Sequence, residues 1–457
     1  MTKIIATLVF ASVLGTVGRA DAVPAFARKY KTSCTTCHTI YPKLNPFGEQ
    51  FRRNGYRFPG IDSDSVKAEP IEMGTDVQKN QFPDAVYPAT LSPFPALAFG
   101  FVGQTVFHPD KNSSDAAANN NTVFSMDSLV AEGHLWAAGS VDDKITYFAE
   151  LTAADGGIEV ENASLFFNDL VGPAHAVNLA VGRRVGSYTS FGPHSTYFAD
   201  MTLPSIPVPG LYGATTDPFV FNDNHNGIEV NGVLGCYFNY AAGLAAGTNL
   251  DTRNSANFYG HIGYKIGGAT LDGEHTGGRP QDLEHETALT IDAFAYRAIS
   301  RFNDAGDPTA MPPIDPALTK DTSLTFGGQI RAQAAELELD SGLFYQTDDA
   351  VNSSGLKVTT ISQWNELSYL LYPWLAVGAR VEYLNISPDG LPTITDLKVM
   401  PGVAALVRPN IKLTLTAPFE QATNADQVDL TAAGLAANAA NVSIENESIQ
   451  LQLWAAF

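Results

Sequence analysis

Cys34, Cys37 and His38 lie in the run TSCTTCHTIYP, residues 32–42, which holds two of the three cysteines in a chain of 457 residues. Two thiols two residues apart, followed at once by an imidazole, fit the attachment pattern of c-type haem: the thiols add to the porphyrin vinyl groups and the histidine ligates the iron. Cys-x-x-Cys also serves zinc and dithiol exchange. A zinc site needs further Cys or His ligands close by, and residues 24–80 contain none beyond this motif. A thioredoxin-like pair needs a βαβ setting, which the flanking sequence lacks. One covalent haem c is therefore the expected cofactor, bound by Cys34, Cys37 and His38. His38 is expected to be an iron ligand and the residue at the redox centre.

The second axial position is open. Met73, in PIEMGTD, is the only methionine between the motif and the strand-rich region, and a thioether there would raise the reduction potential. Alternatively Met73 only packs against the small helices, a barrel histidine such as His108 or His134 supplies the ligand, or no protein group does. The histidines at 175, 194, 225, 261, 275 and 285 occur singly and read as solvated loop or lumen side chains. Cys236, after Leu234-Gly235, reads as an apolar thiol. The run DKNSSDAAANNNT, 110–122, reads as a solvated loop, with a weak oxygen-ligand site for a divalent ion as the sharper alternative.

The elements that must position the motif are short. The sequence predicts a helix around the cysteines, a turn at Pro42 and a second helix. In the second, Asn45 is the N-cap, Pro46 the first helical residue, Phe47 and Phe51 share a face, and Asn54-Gly55 is the stop. Prolines 83, 88, 93 and 95 predict an extended linker over 81–95. Upstream, Lys3, the apolar run IIATLVFASVLGTV and Ala20-Asp21-Ala22 form the pattern of a cleaved secretory signal over 1–22. The formal charge is −21, and loss of Lys3, Arg19 and Asp21 would leave the remainder one charge more acidic. Such a chain excludes nucleic acid and anionic surfaces as partners and favours cations and basic proteins.

From residue 96 onward apolar residues alternate with small or polar ones. Leu375, Val377, Ala379, Val381 and Tyr383 oppose Ala376, Gly378, Arg380 and Glu382. Ile411, Leu413, Leu415, Ala417 and Phe419 oppose Lys412, Thr414 and Thr416. Leu324, Phe326 and Ile330 oppose Thr325, Gln329, Arg331 and Gln333. This period of two means strands with one greasy and one polar face. Either a soluble sandwich or a membrane barrel uses such strands.

The barrel is favoured by mid-strand charges, which suit a lumen, and by the alternation of short connections (141–144, 372–374, 408–410) with long polar ones (109–122, 187–224, 303–321, 421–445). A last strand ending in an aromatic residue points the same way. The expected fold is mainly β: a transmembrane antiparallel β-barrel of about 16 strands, even-numbered as single-chain bacterial barrels are. A small N-terminal α-helical cytochrome c segment precedes it. Strand traces from the two ends meet in conflicting orientation between 248 and 302. The expected divisions are a signal at 1–22, a monohaem domain at 23–80, the linker at 81–95 and the barrel at 96–457.

The front segment PAFARKYKTSCTTCHTIYPKLNPFGEQFRRNGY resembles the start of the fused monohaem cytochrome–porin family of bacterial outer-membrane proteins, which includes iron oxidases. The resemblance rests on Pro24 to Arg28, Cys34, Cys37, His38, Pro42, Leu44, Pro46-Phe47-Gly48, Phe51 and Asn54-Gly55-Tyr56. Beyond it, only the layout is similar. The resemblance implies a haem segment in or under a porin-like barrel in the outer membrane of a Gram-negative bacterium. It implies electron flow from extracellular Fe(II) or another reductant to a periplasmic cytochrome. Two other functions fit the residues: a porin for small solutes whose haem segment is a plug or redox-gated lid, motivated by Arg331, Arg380 and Lys412, and a receptor whose acidic loops bind metal without turnover.

Overall fold

The computed structural model describes residues 25–58, 71–72, 90–91, 96–107, 124–125, 132–141, 144–154, 157–188, 190, 194–198, 224–246, 256–272, 286–304, 317–351, 355–423 and 444–456. Met73, His108, the expected signal, most of the 81–95 linker and the loop 110–122 lie outside the described residues. Sixteen antiparallel strands close into one barrel. They are β1 (Ala96–Phe107), β2 (Phe124–Ser125 and Glu132–Ser140), β3 (Ile145–Ala154), β4 (Gly157–Phe167), β5 (Asn178–Arg184), β6 (His225–Leu234), β7 (Phe238–Ala246) and β8 (Ala256–Gly267). The second half is β9 (Thr287–Asp304), β10 (Ala317–Ala334), β11 (Leu337–Asp348), β12 (Val358–Tyr372), β13 (Leu375–Pro388), β14 (Ile394–Arg408), β15 (Ile411–Thr416 and Phe419–Thr423) and β16 (Ile444–Glu447 and Ile449–Ala456). Closure is by β16 on β1, from Ile449↔Phe107 to Ala456↔Gly100.

The strand faces follow the alternation in the sequence. Arg380 and Lys412 point inward with no exposure, and Gln329 is buried, while Phe326, Ile330, Leu415 and Leu453 are exposed on the outside. An apolar exterior around a polar interior is the reverse of a soluble sandwich and the pattern of a lipid-facing barrel. Connections 335–336, 373–374 and 409–410 are tight and lie at one end, here the turn end, with the start of β1 and the last described residue of β16. The connections 185–224, 305–316 and 424–443 join strand ends at the other, loop end.

Two expectations are corrected. The conflict between 248 and 302 resolves into β8 and β9, joined by the connection 268–286 on the turn end, where short connections prevail. Part of the expected 303–321 loop is strand, because β9 and β10 pair all the way from Thr287↔Ala334 to Asp304↔Ala317.

The lumen of the turn half is filled by residues 25–58. This segment has two short helices, α1 (Ala25–Tyr30) and α2 (Pro46–Arg53), with a 3-10 turn at Cys34–Thr36 between them. The predicted helix around the cysteines is only that one turn. Thr32, Ser33, Thr35 and Thr36 spend their hydroxyls on local bonds that compete with a helix, including Ser33 Oγ accepting from Thr35 N–H at 3.3 Å. The second helix forms as expected: Asn45 Oδ1 caps it by accepting from Gly48 N–H at 2.9 Å, and Asn54 closes it.

A segment this short cannot bury a core alone. Its core is aromatic, with Phe26 edge-on to Phe51 at 4.8 Å and Tyr30 against Phe58 at 4.1 Å, and the barrel wall completes it. Tyr56 stacks on Phe148 of β3 at 4.7 Å, and Phe47 packs on Ala269.

Candidate functional site

The site begins with the backbone of the 3-10 turn. Cys37 N–H donates to Cys34 O at 3.2 Å, and His38 N–H to the same oxygen at 2.9 Å. This tight winding holds Cys34 and Cys37 one turn apart. The next residues fold back: Asn45 N–H donates to Cys37 O at 2.9 Å, and the Asn45 side chain donates to Thr35 O and Thr36 O. The N-cap of α2 thereby clamps the motif. Gly48 is where the two backbones meet, since a Cβ there would sit 2.0 Å from Cys37 O. Only glycine permits that approach.

His38 Nδ1 lies 3.2 Å from the Pro42 carbonyl oxygen. A ring N–H donated to a backbone carbonyl fixes the tautomer and orientation of an iron-ligating histidine and leaves Nε2 for the metal. Burial pushes the His38 imidazole down to about 4, so the ring is neutral. Burial, and then the neighbouring Cys34, push the Cys37 thiol up to about 12. That is the opposite of the lowered thiol which dithiol exchange requires. The donor set fits a covalent haem c: two un-ionised thiols one turn apart and an imidazole whose other nitrogen is already bonded. Tyr41 flanks the motif, its ring 5.2 Å from that of His38.

The barrel holds this segment with charges that the alternation had placed in the lumen. Lys43 Nζ pairs with Glu338 Oε1 of β11 at 2.5 Å, both nearly sealed from water, and donates to Ser195 O at 2.9 Å. Arg331 of β10 pairs with Glu49 of α2, and Arg57 with Asp169. A second lumen element closes over the motif from the β5–β6 connection. Leu44 N–H donates to His194 O at 2.8 Å, and Ile40 packs in one cluster with Tyr197 and Phe198. Lys412 of β15 donates to Tyr197 O at 3.1 Å.

Sequence reasoning missed His194. Its Nδ1 lies 3.4 Å from the same Pro42 carbonyl that His38 uses, across a separation that no local pattern signals. The reading of the scattered histidines as solvated is corrected for His175, His225 and His261, which are all buried. The lumen around them is packed with protein, so a lumen-facing position is not a wet one. His134, one of the alternatives for the second axial ligand, has its ring stacked on Trp136 at 5.1 Å and its Nδ1 3.2 Å from Glu150 Oε1.

The docking pair gives a pH dependence. Burial acts to raise the Glu49 carboxyl, but Arg331 and Arg53 outweigh it and hold it at about 2. A depressed carboxylate contributes stability above its ordinary range, near pH 4.3, and loses it as pH falls through the folded value. Residues 46–53 are therefore expected to resist pepsin at pH 4 and 3 and to become cleavable toward pH 2. In Glu49→Gln the acid-dependent part of that change is expected to disappear.

No protein family matches the chain by its sequence profile, and no curated protein matches it. Among solved structures it is similar to OmpT, an outer membrane protein of Vibrio cholerae, at TM-score 0.51 and 13% identity over 79% of this chain and 96% of that one. It is also similar to the anion-selective porin from Comamonas acidovorans, at TM-score 0.50 and 12% identity over 79% of this chain and 99% of that one. The fold is that of an outer-membrane, porin-like barrel.

Proposed function

We propose that the chain is an outer-membrane electron carrier. One covalent haem c at Cys34, Cys37 and His38 takes electrons from an extracellular reductant, Fe(II) first among them, for a periplasmic acceptor cytochrome. The observation that carries the reading is the packing of the Cys-x-x-Cys-His turn inside the lumen by the Lys43–Glu338 pair. A redox centre embedded in the barrel lies within the insulating layer, which a single centre must do to reach both sides.

Haem c, when bound, supplies one-electron chemistry at its iron. The protein's part is to orient and to exclude water. Pro42 O fixes the His38 ring, Asn45 and Gly48 fix the turn, and Ile40, Tyr197 and Phe198 form a dry wall. Low solvent access is one of the levers on potential. The strongly acidic chain suits cationic donors and basic partners. The test is to mix purified protein with Fe(II) at neutral and acid pH. Growth of reduced haem bands is the expected result; a haem that stays oxidised at both would overturn Fe(II) as donor.

The second reading is a diffusion porin whose haem segment is a plug or redox-gated lid. The barrel shared with the anion-selective porin favours it. Bilayer conductance separates the two.

A further inference from the structure

A cluster outside the motif uses chemistry that the haem does not need. His134 of β2, Glu150 of β3 and Glu161 of β4 bring one ligand atom each to within 4.8 Å of one another. His134 Nδ1 lies 3.2 Å from Glu150 Oε1. Its Nε2 is sealed from water and lies 3.2 Å from Glu132 Oε2, and its Nδ1 also lies 3.1 Å from Thr152 Oγ1. The imidazole is nine-tenths buried, with 8% of its side chain exposed. Glu132 thus stands where a carboxylate stands behind a metal-bound imidazole.

The backbone has been altered to make this cluster. Glu150 pairs with Asn162 and Leu151 with Val160, so Glu161 is the extra residue of a β-bulge. Leu165 and Ala163 on one side of it and Val160 and Ile158 on the other all face outward. Strict alternation would put Glu161 on that apolar face. The bulge shifts the phase and turns the carboxylate into the lumen, which is how bulges re-aim side chains beside functional sites.

Three glutamates then converge on one histidine, and among the described residues none of them pairs with a lysine or arginine. Glu150 is largely shielded from water and Glu161 partly so, and a metal cation shared with the His134 ring would offset the cost of holding the two carboxylates together. We propose that His134, Glu150 and Glu161 bind a divalent transition-metal ion, with Glu132 as the outer partner of the imidazole. Resting on the electron-carrier reading, the same site is the dock for Fe(II). Mixed imidazole and carboxylate ligands suit Fe(II), Co(II) and Zn(II).

Trp136 joins this site to the haem segment. Its Nε1 donates to Glu150 Oε1 at 2.7 Å, the His134 ring stacks on it in near-parallel planes, and it and Phe26 of α1 both pack against Ala98. Gly100 makes room for it; a Cβ there would be 2.1 Å from the indole. On the motif side, Tyr41 lies beside His38, their ring centroids 5.2 Å apart. If Cys34, Cys37 and His38 held a ferric haem c, it would supply the one-electron acceptor for Fe(II) held by His134, Glu150 and Glu161, the Fe(III) left behind balancing the transfer without a bond being broken.

The test titrates Co(II) into tag-free, detergent-held full-length protein by calorimetry, with the haem of each sample assayed separately. Saturable binding is expected in the wild type. Glu132→Gln is expected to weaken it by about 10–100-fold, as loss of an outer partner does. Glu161→Gln and His134→Ala are expected to weaken it at least as much. Absence of saturable binding, or equal affinity in Glu161→Gln, would overturn the site. Loss of Co(II) binding in Glu161→Gln with an unchanged rate of haem reduction by Fe(II) would overturn its role as the dock. Co(II) binding in a wild-type protein that carries no haem would support the site and sink the electron-carrier reading instead.

Discussion

Cys37→Ala is expected to give a folded barrel that has lost nearly all haem surviving denaturation and shows no reduced haem bands with Fe(II). The separation of effects follows from the construction of the turn. The Cys37 backbone is held by Cys34 O, by Asn45 N–H and by contact with Gly48, none of which involves the thiol. Replacing the side chain by a methyl costs about 1 kcal/mol, at the low end of large-to-small core changes. The register from β1 to β16 does not involve it. His38→Ala should behave differently, keeping attachment through Cys34 and Cys37 while changing the spectrum of the iron. Denaturing gels stained for haem, with heat-modifiable migration as the folding control, read both. Undiminished covalent haem after loss of both thiols would refute the assignment of the motif.

Much of the barrel was legible, because each strand carries its own two-residue period. Leu375, Val377 and Tyr383 face out and Ala376 and Arg380 face in, as the pattern requires. Legibility failed where glycine or length diluted the period. Strand β8 reads ANFYGHIGYKIG, with glycines interrupting its apolar positions, and β9 and β10 run well past one bilayer crossing. It failed again at Glu161, where a one-residue bulge reverses the phase within a strand that otherwise alternates. The α2 cap was legible because Asn45, Pro46 and Asn54 act locally. The local fold of Cys34, Cys37 and His38, on which the proposed chemistry rests, is likewise set by neighbours close in the chain. Their surroundings were not: Lys43–Glu338, Arg331–Glu49 and Leu44–His194 join residues far apart in the chain, and no spacing encodes them.

Those long-range pairs decide whether the barrel conducts. A 16-stranded barrel with nothing inside leaves an aqueous channel. Here Lys412 and Arg380 on the wall have no exposure, because residues 25–58 and 194–198 lie over the wall. The wild-type chain is therefore expected to pass little current in a planar bilayer. Lys43→Glu together with Arg331→Glu would set like charges against Glu338 and Glu49, with Asp340 3.3 Å from the present Arg331 Nε. Losing one partner of a buried pair costs about 3–5 kcal/mol, and repulsion adds to that. Since about 1.4 kcal/mol is tenfold, even one such loss shifts the docked population by about a hundredfold. The double variant is expected to raise single-channel current at least about tenfold as the lumen opens. A haem attached at Cys34 and Cys37, as proposed, should become accessible to hydrophilic reductants from both sides. A large open channel in the wild type would instead mean that the segment does not seal the lumen and that solute diffusion is the primary activity. A closed double variant would mean that contacts such as Ile40 with Tyr197 and Phe198 hold the segment more strongly than the ion pairs do.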